Sequence, residues 1–551
     1  MAAQEGHLAV VQYLVQQGAD ANKVNNDGVT ALYIAAQEGH LATVQYLVQQ
    51  GVDKDEATNN GCTPIYIAAQ KSNSMVVQYL AQQGADTNKA SNKGCTPLLI
   101  AAHTGDVVVV QYLVQQGADK EKATNNGCTP IYIAAQKSNS MVVQYLAQQG
   151  ADKDKVTCYD STPLLIAAHT GDLVVVQYLV QQGADKDKAT INDCATPLYI
   201  AAQEGHLVVV QCLVQQGADK DMVNRNGVAP LFIAAQNGHL VVVQYLVQQG
   251  ADKDKANKNG YTPLILAAQE GHLAVVQYLV QQGADKNKAH NNGTTPLLMA
   301  VQQGHLTVVQ YLVQQGAEKN KATINNGMTP LFIAALEGHL AVMQYLMQEG
   351  ADKDKGANDG STPLHIAAQK CDLTMLQYLV QKGTDKDKAA NGGMTPLHIA
   401  AYDGHLAVVQ YLVQQRADKS KVDNNGATPL FNAARQGHLA VVQYLVQQGA
   451  DKDQANAING WTPLVVAAES GHLAVVQYLV QQGADKDKPD VGGATPLYVA
   501  AQTGKLAVVQ YLVQQGADKN KADSSGVTPL VVAARNCYHA VADYLREQGA
   551  V

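Results

Sequence analysis

Apolar and polar positions along this chain follow the spacing of short helices, and glycines mark where each helix stops. Residues 262–283 read TPLILAAQEGHLAVVQYLVQQG. Thr262 is a good N-cap and Pro263 a good first helical residue, which predicts a short helix that ends at Gly271. A second helix is predicted from there to Gly283, because leucine and valine recur at i, i+3, i+6 and i+7. The valine-rich LAVVQYLV also suits a β-strand, but the spacing and the flanking glycines favour a helix.

A polar linker, such as ADKDKANKNG at residues 251–260, separates one helix pair from the next. Its Asn-Gly pair is typical of the turn of a β-hairpin. Each repeat is therefore predicted as hairpin, helix, turn, helix, and the fold class as all-α. A single repeat buries too little apolar surface to fold alone, so neighbouring repeats must stack against one another.

The Thr-Pro pair that opens each first helix sets the period. Most of these prolines, such as Pro64 and Pro97, follow one another at intervals of 33 residues. Three intervals are 34 residues long and end at Pro197, Pro330 and Pro463. Because an extra residue inside a helix would turn its apolar face out of register, we expect it in the hairpin. The expected positions are Ile191, Ile324 and Ile458.

The composite pattern G-x-T-P-L-x-x-A-A-x-x-G-H-L-x-V-V-x-Y-L-V-x-x-G-A-D recurs along the whole chain and resembles the ankyrin repeat. The resemblance implies an ankyrin-repeat solenoid of helix-turn-helix units joined by β-hairpin fingers, with about sixteen and a half repeats. We expect one continuous array over residues 1–551. It would contain a partial first repeat at 1–24, internal repeats at 25–526 and a C-terminal capping repeat at 527–551.

One position departs from the family's pattern. The family usually has a histidine after Thr-Pro-Leu that joins a hydrogen-bond network at the helix start, and only His365 and His398 keep it here. Elsewhere the position is apolar or aromatic, as at Tyr33, Leu99 and Phe232. We therefore expect packing to replace the network in most repeats.

Charge and composition indicate neither nucleic acid nor lipid as a partner. The net charge is −8 and the pI about 6.0, without a basic footprint. The chain start lacks the features of a signal peptide, and no apolar run approaches the roughly 18 residues of a membrane span. Cys62, Cys95 and Cys128 stand one per repeat, too far apart for disulfides, which favours reduced thiols. We expect a cytoplasmic, monomeric array without membrane insertion.

Histidine is the most conspicuous candidate for chemistry, because ten of the sixteen histidines follow the mid-repeat glycine. They are His7, His40, His206, His239, His272, His305, His339, His405, His438 and His472. One residue per repeat is too widely spaced for ligands that must each lie ~2 Å from one zinc ion. Other repeats hold Asp106, Asp172, Asp372, Asn73 and Asn139 at this position, which are strong N-caps. We therefore predict that these histidines cap the second helix.

The ADKDK linkers and the QYLVQQ helices repeat too regularly to form a catalytic site. Strand alternation would place Asp on one side and Lys on the other, so stacked fingers could form charge ladders, although a solvated edge is the plainer interpretation. The glutamines could form side-chain ladders or reflect recent duplication, which we favour. No nucleotide-binding glycine loop, nucleophile elbow, or kinase or protease signature is present. The sequence predicts no catalysis, no cofactor and no metal.

The repeats differ most at the residue after the finger glycine and at the two residues after Ala-Ala. The resemblance implies that these positions face a concave groove and contact partners. The candidate partner-binding residues are Leu336, Met394, Tyr402, Arg435, Trp461 and Glu469. Tyrosine, tryptophan and arginine are common at interface hot spots, but drift at exposed sites would produce the same variation.

Residues 416–432 are predicted to form a soft seam. Arg416 replaces the helix-ending glycine, where a positive φ is expected, at a cost of about 1 kcal/mol. Asn432 replaces the inward Ile or Val of most other repeats, so it needs a buried partner or costs ~1–3 kcal/mol. Hydrogen exchange should therefore show early opening here.

The sequence as a whole predicts a non-catalytic scaffold for protein–protein interaction, with the groove of fingers and first helices as its binding surface. Two alternatives stay open. The chain could be the recognition arm of a larger channel, kinase or ubiquitin-ligase subunit, which the mid-repeat start MAAQEGH favours. The array could also be a mechanical spacer.

Overall fold

The computed structural model describes residues 1–551 and contains 33 α-helices and no β-strand. It consists of two compact units, Met1–Asp285 and Lys286–Val551. In each unit a short helix, which in most repeats opens with Thr-Pro, alternates with a helix of nine residues, as in α6 and α7 at Pro97–Thr104 and Val107–Gln115. The all-α fold class is confirmed.

The helices are numbered in chain order. The first unit contains α1 (Leu8–Gln16), α2 (Ala31–Glu38), α3 (Leu41–Gln49), α4 (Pro64–Gln70), α5 (Ser74–Gln82), α6 (Pro97–Thr104), α7 (Val107–Gln115), α8 (Pro130–Gln136), α9 (Ser140–Gln148), α10 (Pro163–Thr170), α11 (Leu173–Gln181), α12 (Pro197–Glu204), α13 (Leu207–Gln215), α14 (Pro230–Gln236), α15 (Leu240–Gln248), α16 (Pro263–Gln269) and α17 (Leu273–Gln281). The second unit contains α18 (Pro296–Gln302), α19 (Leu306–Gln314), α20 (Pro330–Glu337), α21 (Leu340–Gln348), α22 (Pro363–Gln369), α23 (Leu373–Gln381), α24 (Pro396–Tyr402), α25 (Leu406–Gln414), α26 (Pro429–Gln436), α27 (Leu439–Gln447), α28 (Pro463–Ser470), α29 (Leu473–Gln481), α30 (Pro496–Gln502), α31 (Leu506–Gln514), α32 (Pro529–Arg535) and α33 (His539–Glu547).

Local hydrogen bonds explain where the first helix of a repeat begins and ends. The hydroxyl oxygen of Thr96 accepts a hydrogen bond from the backbone N–H of Leu99 at 3.2 Å, at the start of α6. Pro97 follows at the first helical position, where the N–H that proline lacks would have no partner in any case. The helix ends at Gly105, whose φ of 81° lies in the left-handed region that glycine tolerates.

The alanines of Ala-Ala and the valines and leucines of the second helices form the core. Ala101 and Ala102 of α6 are fully buried, as are Val110 and Leu113 of α7. Because alanine is small, the first helices of neighbouring repeats approach closely, and α6 packs against both α4 and α8. Within each unit the repeats stack on one another as predicted.

The predicted β-hairpin fingers are tight turns in the structure, without strands. In one finger the N–H of Asn224 donates to the carbonyl of Val228, and the N–H of Gly227 donates to the carbonyl of Asn224. One further bond at 3.1 Å, from the N–H of Lys258 to the carbonyl of Asn226, joins this finger to the next. A single bond between successive turns is too short a ladder to make a strand.

The extra residue of each 34-residue interval lies in the finger, as predicted. The N–H of Thr190 donates to the carbonyl of Ala195, five residues on, whereas the usual turn closes over four. The same longer turn joins Thr323 to Met328 and Asn456 to Trp461. The isoleucines predicted to lie there, Ile191, Ile324 and Ile458, are exposed.

The ADKDK linkers form a ladder of hydrogen bonds between neighbouring repeats, which we call the linker ladder. The carboxylate of Asp154 accepts the backbone N–H of Asp185 at 3.0 Å, and its backbone carbonyl accepts the ammonium of Lys188 at 2.9 Å. Equivalent bonds recur in both units. The linkers are exposed to solvent, as predicted, and they also connect neighbouring repeats. The ladder joins side chains to backbone, not carboxylate to ammonium.

The histidines after the mid-repeat glycine do not cap their own helix, so the N-cap prediction is wrong for them. The Nε2 atom of His438 lies 2.9 Å from the carbonyl oxygen of Tyr402 in the preceding repeat, and its side chain makes no cap bond. We call this the imidazole contact. It recurs at His40, His206, His239, His272, His339, His405 and His472.

The shorter side chains at the same position behave in two ways. Asp106, Asp172 and Asp372 do accept N–H bonds from the first turn of the second helix, as predicted. Asn73 and Asn139 instead donate to carbonyls of the preceding repeat. An imidazole or amide N–H needs an acceptor, which the preceding repeat supplies, whereas a carboxylate can only accept.

The mid-repeat glycine makes room for the imidazole contact. A Cβ atom at Gly404 would lie 2.6 Å from Nδ1 of His438 in the next repeat. The residue also has a φ of 77°. Glycine suits this position for two reasons, the left-handed backbone and the approach of the histidine ring. Cys371 takes the equivalent position before His405 with a φ of 57°, and the imidazole contact of His405 is kept there.

Tyrosine hydroxyls of the second helices also join neighbouring repeats. The hydroxyl of Tyr112 donates to the backbone carbonyl of Gln78 at 3.2 Å, and that of Tyr178 to Gln144. Gln78 and Gln144, each directly before the tyrosine of the preceding repeat, take part through their backbone carbonyls.

His365 and His398 make the network that the family resemblance implies. Nδ1 of His398 accepts the backbone N–H of Thr395 at 3.2 Å, and Nε2 lies 3.1 Å from the carbonyl oxygen of Ala427 in the next finger. Burial lowers the pKa of both histidines. At Leu99 and Phe232 the equivalent side chain is simply buried, as expected.

Candidate partner-binding site

Three of the candidate partner-binding residues stand at equivalent positions near the ends of first helices. Tyr402 ends α24, and Arg435 and Glu469 lie in the last turns of α26 and α28. The carbonyls of Tyr402 and Arg435 take part in imidazole contacts, with Nε2 of His438 and His472 at 2.9 and 3.1 Å. The backbone is thus held in place while the Tyr402 and Arg435 side chains are exposed.

Trp461 lies in the lengthened finger that precedes α28. Its backbone N–H donates to Oδ1 of Asn456 at 2.8 Å, and its indole Nε1–H donates to Oδ2 of Asp490 at 2.9 Å. These bonds hold both ends of the residue, so the half-buried ring is a rigid surface.

Arg435, Trp461 and Glu469 line one cavity of about 220 Å³, which we call the Trp461 cavity. Phe431 and Val466 add apolar walls. The structure therefore brings together three of the six residues predicted from sequence.

The other three candidates lie outside this cavity. Tyr402 is 43% exposed, one repeat before Arg435. Leu336 lines a different cavity of about 220 Å³, beside Met328. Met394 lies in the finger before α24, and its backbone carbonyl is within 3.1 Å of His365 Nε2.

A family model that describes three ankyrin repeats matches the chain in overlapping segments, from residues 1–91 to residues 486–551. The chain belongs to the ankyrin-repeat family. Repeats of this family are in general modules for protein–protein interaction. No curated protein matches the chain.

Two polar residues of this ankyrin array that line the Trp461 cavity were not predicted as site residues. Asn432 of α26 is only 6% exposed, and its side chain makes no hydrogen bond. Oδ1 of Asn459 is buried and also has no partner. A buried polar group without a partner costs about 1–3 kcal/mol. The one sequence signal was Asn432 itself, which stands where most repeats of this chain carry an aliphatic residue such as Ile399.

Acidic groups outnumber basic groups around the Trp461 cavity. The carboxylates of Asp423 and Glu469 and the guanidinium of Arg435 line it, and Asp490 holds the indole. Oδ1 of Asp423 accepts the backbone N–H of Asn425 at 2.8 Å, which fixes that carboxylate. Neither Glu469 nor Arg435 forms an ion pair, so the charges of both are available to a ligand.

The remaining titratable groups form no further centre. No group of three or more His, Cys, Asp or Glu side chains is placed to hold a metal ion. All eight cysteines are free thiols, and burial raises the pKa of Cys62, Cys95, Cys128 and Cys212. None of the helices combines the length and the apolar character that crossing a membrane requires.

Proposed function

We propose that this ankyrin-repeat protein is a non-catalytic scaffold whose second unit binds a protein partner at the Trp461 cavity. The convergence of Arg435, Trp461 and Glu469 on this cavity supports the proposal most directly. Arginine and tryptophan are common hot-spot residues, and a cavity gives a partner side chain a place to bury. Because hydrogen bonds already hold the indole, binding loses little side-chain entropy there.

The proposed surface extends beyond the cavity along the same unit. Tyr402 is the nearest additional contact, because it is exposed at the position equivalent to Arg435 in the preceding repeat. Met394 lies in the finger of the same repeat as Tyr402 but is only half exposed, and Leu336 lies two repeats further away, so only a longer partner would contact it. We therefore rank Tyr402 with the residues of the cavity and the other two below it.

Affinity measurements on purified partner test this proposal. A partner captured from cell extract is identified, produced pure, and titrated with the full chain and its variants. Tyr402→Ala, Arg435→Ala and Trp461→Ala should each weaken binding by more than about 1 kcal/mol. Gln269→Ala, at the equivalent position of the first unit, is the control and should bind like the original chain. Equal affinity for all four variants would place the binding surface elsewhere.

We also propose that the protein is cytoplasmic and monomeric and has no nucleic-acid partner. The spacing of one cysteine per repeat at Cys62, Cys95 and Cys128 supports a reducing compartment. The net charge of −8 opposes binding to a polyanion.

A further inference from the structure

The polar groups of the Trp461 cavity lack hydrogen-bond donors. Asn432 is only 6% exposed and its side-chain amide makes no hydrogen bond within the chain, and Oδ1 of Asn459 is buried and accepts none. Glu469 lines the same cavity and forms no ion pair. An occupant with several N–H donors would bond to the oxygens of Asn432 and Glu469, whereas an apolar occupant would leave them unpaired.

The charge around the cavity favours a cation. Asp423 and Glu469 line it together with a single basic residue, Arg435. Asp490, at the Nε1 edge of the indole, adds a third carboxylate nearby. A carboxylate ligand would be attracted by one guanidinium but repelled by two or three carboxylates.

The walls of the cavity favour a flat group. The indole of Trp461 is held by its bond to Asp490, and Phe431 adds a second aromatic ring to the lining. A guanidinium stacks on an aromatic face, offers five N–H donors in one plane, and is less strongly hydrated than an ammonium. The cavity of about 220 Å³ has room for one long side chain.

We propose that the Trp461 cavity takes an arginine side chain of the partner protein. The inference rests on the proposed function, and names the chemistry that the partner presents. The guanidinium donates to Asn432 and Glu469 and stacks on Trp461. Asn432, which stands where most repeats carry an aliphatic residue, destabilises the core but supplies a polar contact to the partner.

The chain carries its own reporter, because Trp461 is the single tryptophan. The fluorescence of the full chain is titrated with Nα-acetyl-arginine methylamide at constant ionic strength. The matched probes are the lysine derivative, the citrulline derivative, which keeps the shape without the charge, and the glutamate derivative. We expect saturable binding of the arginine probe, at least roughly tenfold tighter than that of citrulline or glutamate.

Two variants locate the binding. Asn432→Ile restores the common residue of the position and removes one acceptor from the cavity, so it should weaken the arginine probe roughly tenfold while the chain stays folded. Glu469→Gln should weaken the arginine probe roughly tenfold. Glu337→Gln removes the same charge beside the Leu336 cavity and is the control, with unchanged binding.

Three outcomes would overturn the inference: no saturation, equal binding of citrulline or glutamate, or unchanged binding by Asn432→Ile. These outcomes are separate from the test of the proposed function. If Tyr402→Ala and Trp461→Ala lose the partner but the arginine probe does not bind, the scaffold stands and the arginine chemistry fails. If the probe binds but no variant affects the partner, the cavity binds arginine and the proposed docking surface fails.

Discussion

The junctions at residues 350–388 and 416–454 occupy equivalent places in the second unit, two repeats apart, and differ in how firmly they join neighbouring repeats. In the first, the carboxylate of Asp354 accepts the N–H of Asp385 at 3.0 Å, and its carbonyl accepts the ammonium of Lys388. Both bonds of the linker ladder are present there. We call it the regular junction.

The second junction, which contains the soft seam, lacks both bonds of the linker ladder. Ser420 stands where the regular junction has aspartate, and Gln454 stands where it has lysine. The Ser420 hydroxyl instead donates to Asp418 of its own linker at 2.6 Å. The backbone N–H of Asp451 has no equivalent acceptor across the junction.

The backbone and the core differ between the two junctions as well. Gly350 has a φ of 77°, and Arg416 takes a φ of 63° at the equivalent position, as predicted. Ile366 is buried in the regular junction, whereas the equivalent Asn432 is buried without a partner. The helices are nevertheless of normal length on both sides. A repeat protein can therefore lose contacts at one junction without losing its local structure, because each junction is a nearest-neighbour interaction.

The largest effect is expected from repairing the backbone and core of the seam. Arg416→Gly with Asn432→Ile should stabilise residues 416–454 by about 3 kcal/mol, because it relieves left-handed strain of about 1 kcal/mol and buries an aliphatic side chain. Hydrogen exchange read by mass spectrometry gives the free energy of local opening in both junctions.

The regular junction supplies the matched control for that repair. Gly350→Arg with Ile366→Asn should weaken residues 350–388 by a similar amount and leave the seam unchanged. The soft seam does not exist if the amides of the two junctions exchange equally fast in the original chain. The same conclusion follows if the repair leaves the free energy of opening of the seam unchanged.

A smaller effect is expected from the imidazole contact, which the seam keeps. Gly404→Ala should cost about 2 kcal/mol, since it adds left-handed strain and pushes the His438 ring from the carbonyl of Tyr402. Gly338→Ala is the control at the equivalent place before the regular junction. Its φ is 79°, but a Cβ there meets nothing within 4 Å, so it should cost only about 1 kcal/mol. Equal losses in denaturant unfolding would mean that the contact contributes no stability.

The smallest effect is expected from the linker ladder alone. Ser420→Asp with Gln454→Lys should add both missing bonds and stabilise the seam by about 1 kcal/mol, because the groups are exposed. The reverse pair, Asp354→Ser with Lys388→Gln, should cost the regular junction as much. Exchange rates at the linker amides would show whether the bonds form. If only one of the two variant pairs changes the stability of its junction, the contribution of the ladder depends on the surrounding residues.

The local features of the repeat follow from the sequence, because each depends on residues within about one helical turn of one another. The threonine caps, the prolines at the first helical position and the left-handed φ of Arg416 are of this kind. So is the extra residue at Ile191, since a helix cannot absorb an insertion without turning its apolar face. The variable positions also indicated Arg435, Trp461 and Glu469 before their shared cavity was known.

Contacts between residues of neighbouring repeats were decided only by the stacked structure. His438 has the position of an N-cap, yet its ring reaches back 36 residues to Tyr402, because a carbonyl of the preceding repeat lies within its reach. Asn432 looks from sequence like a defect of the core, and only the packing of α26 beside α28 places it on the Trp461 cavity. Such pairs lie a whole repeat apart, so the rise and rotation from one repeat to the next determine which atoms meet.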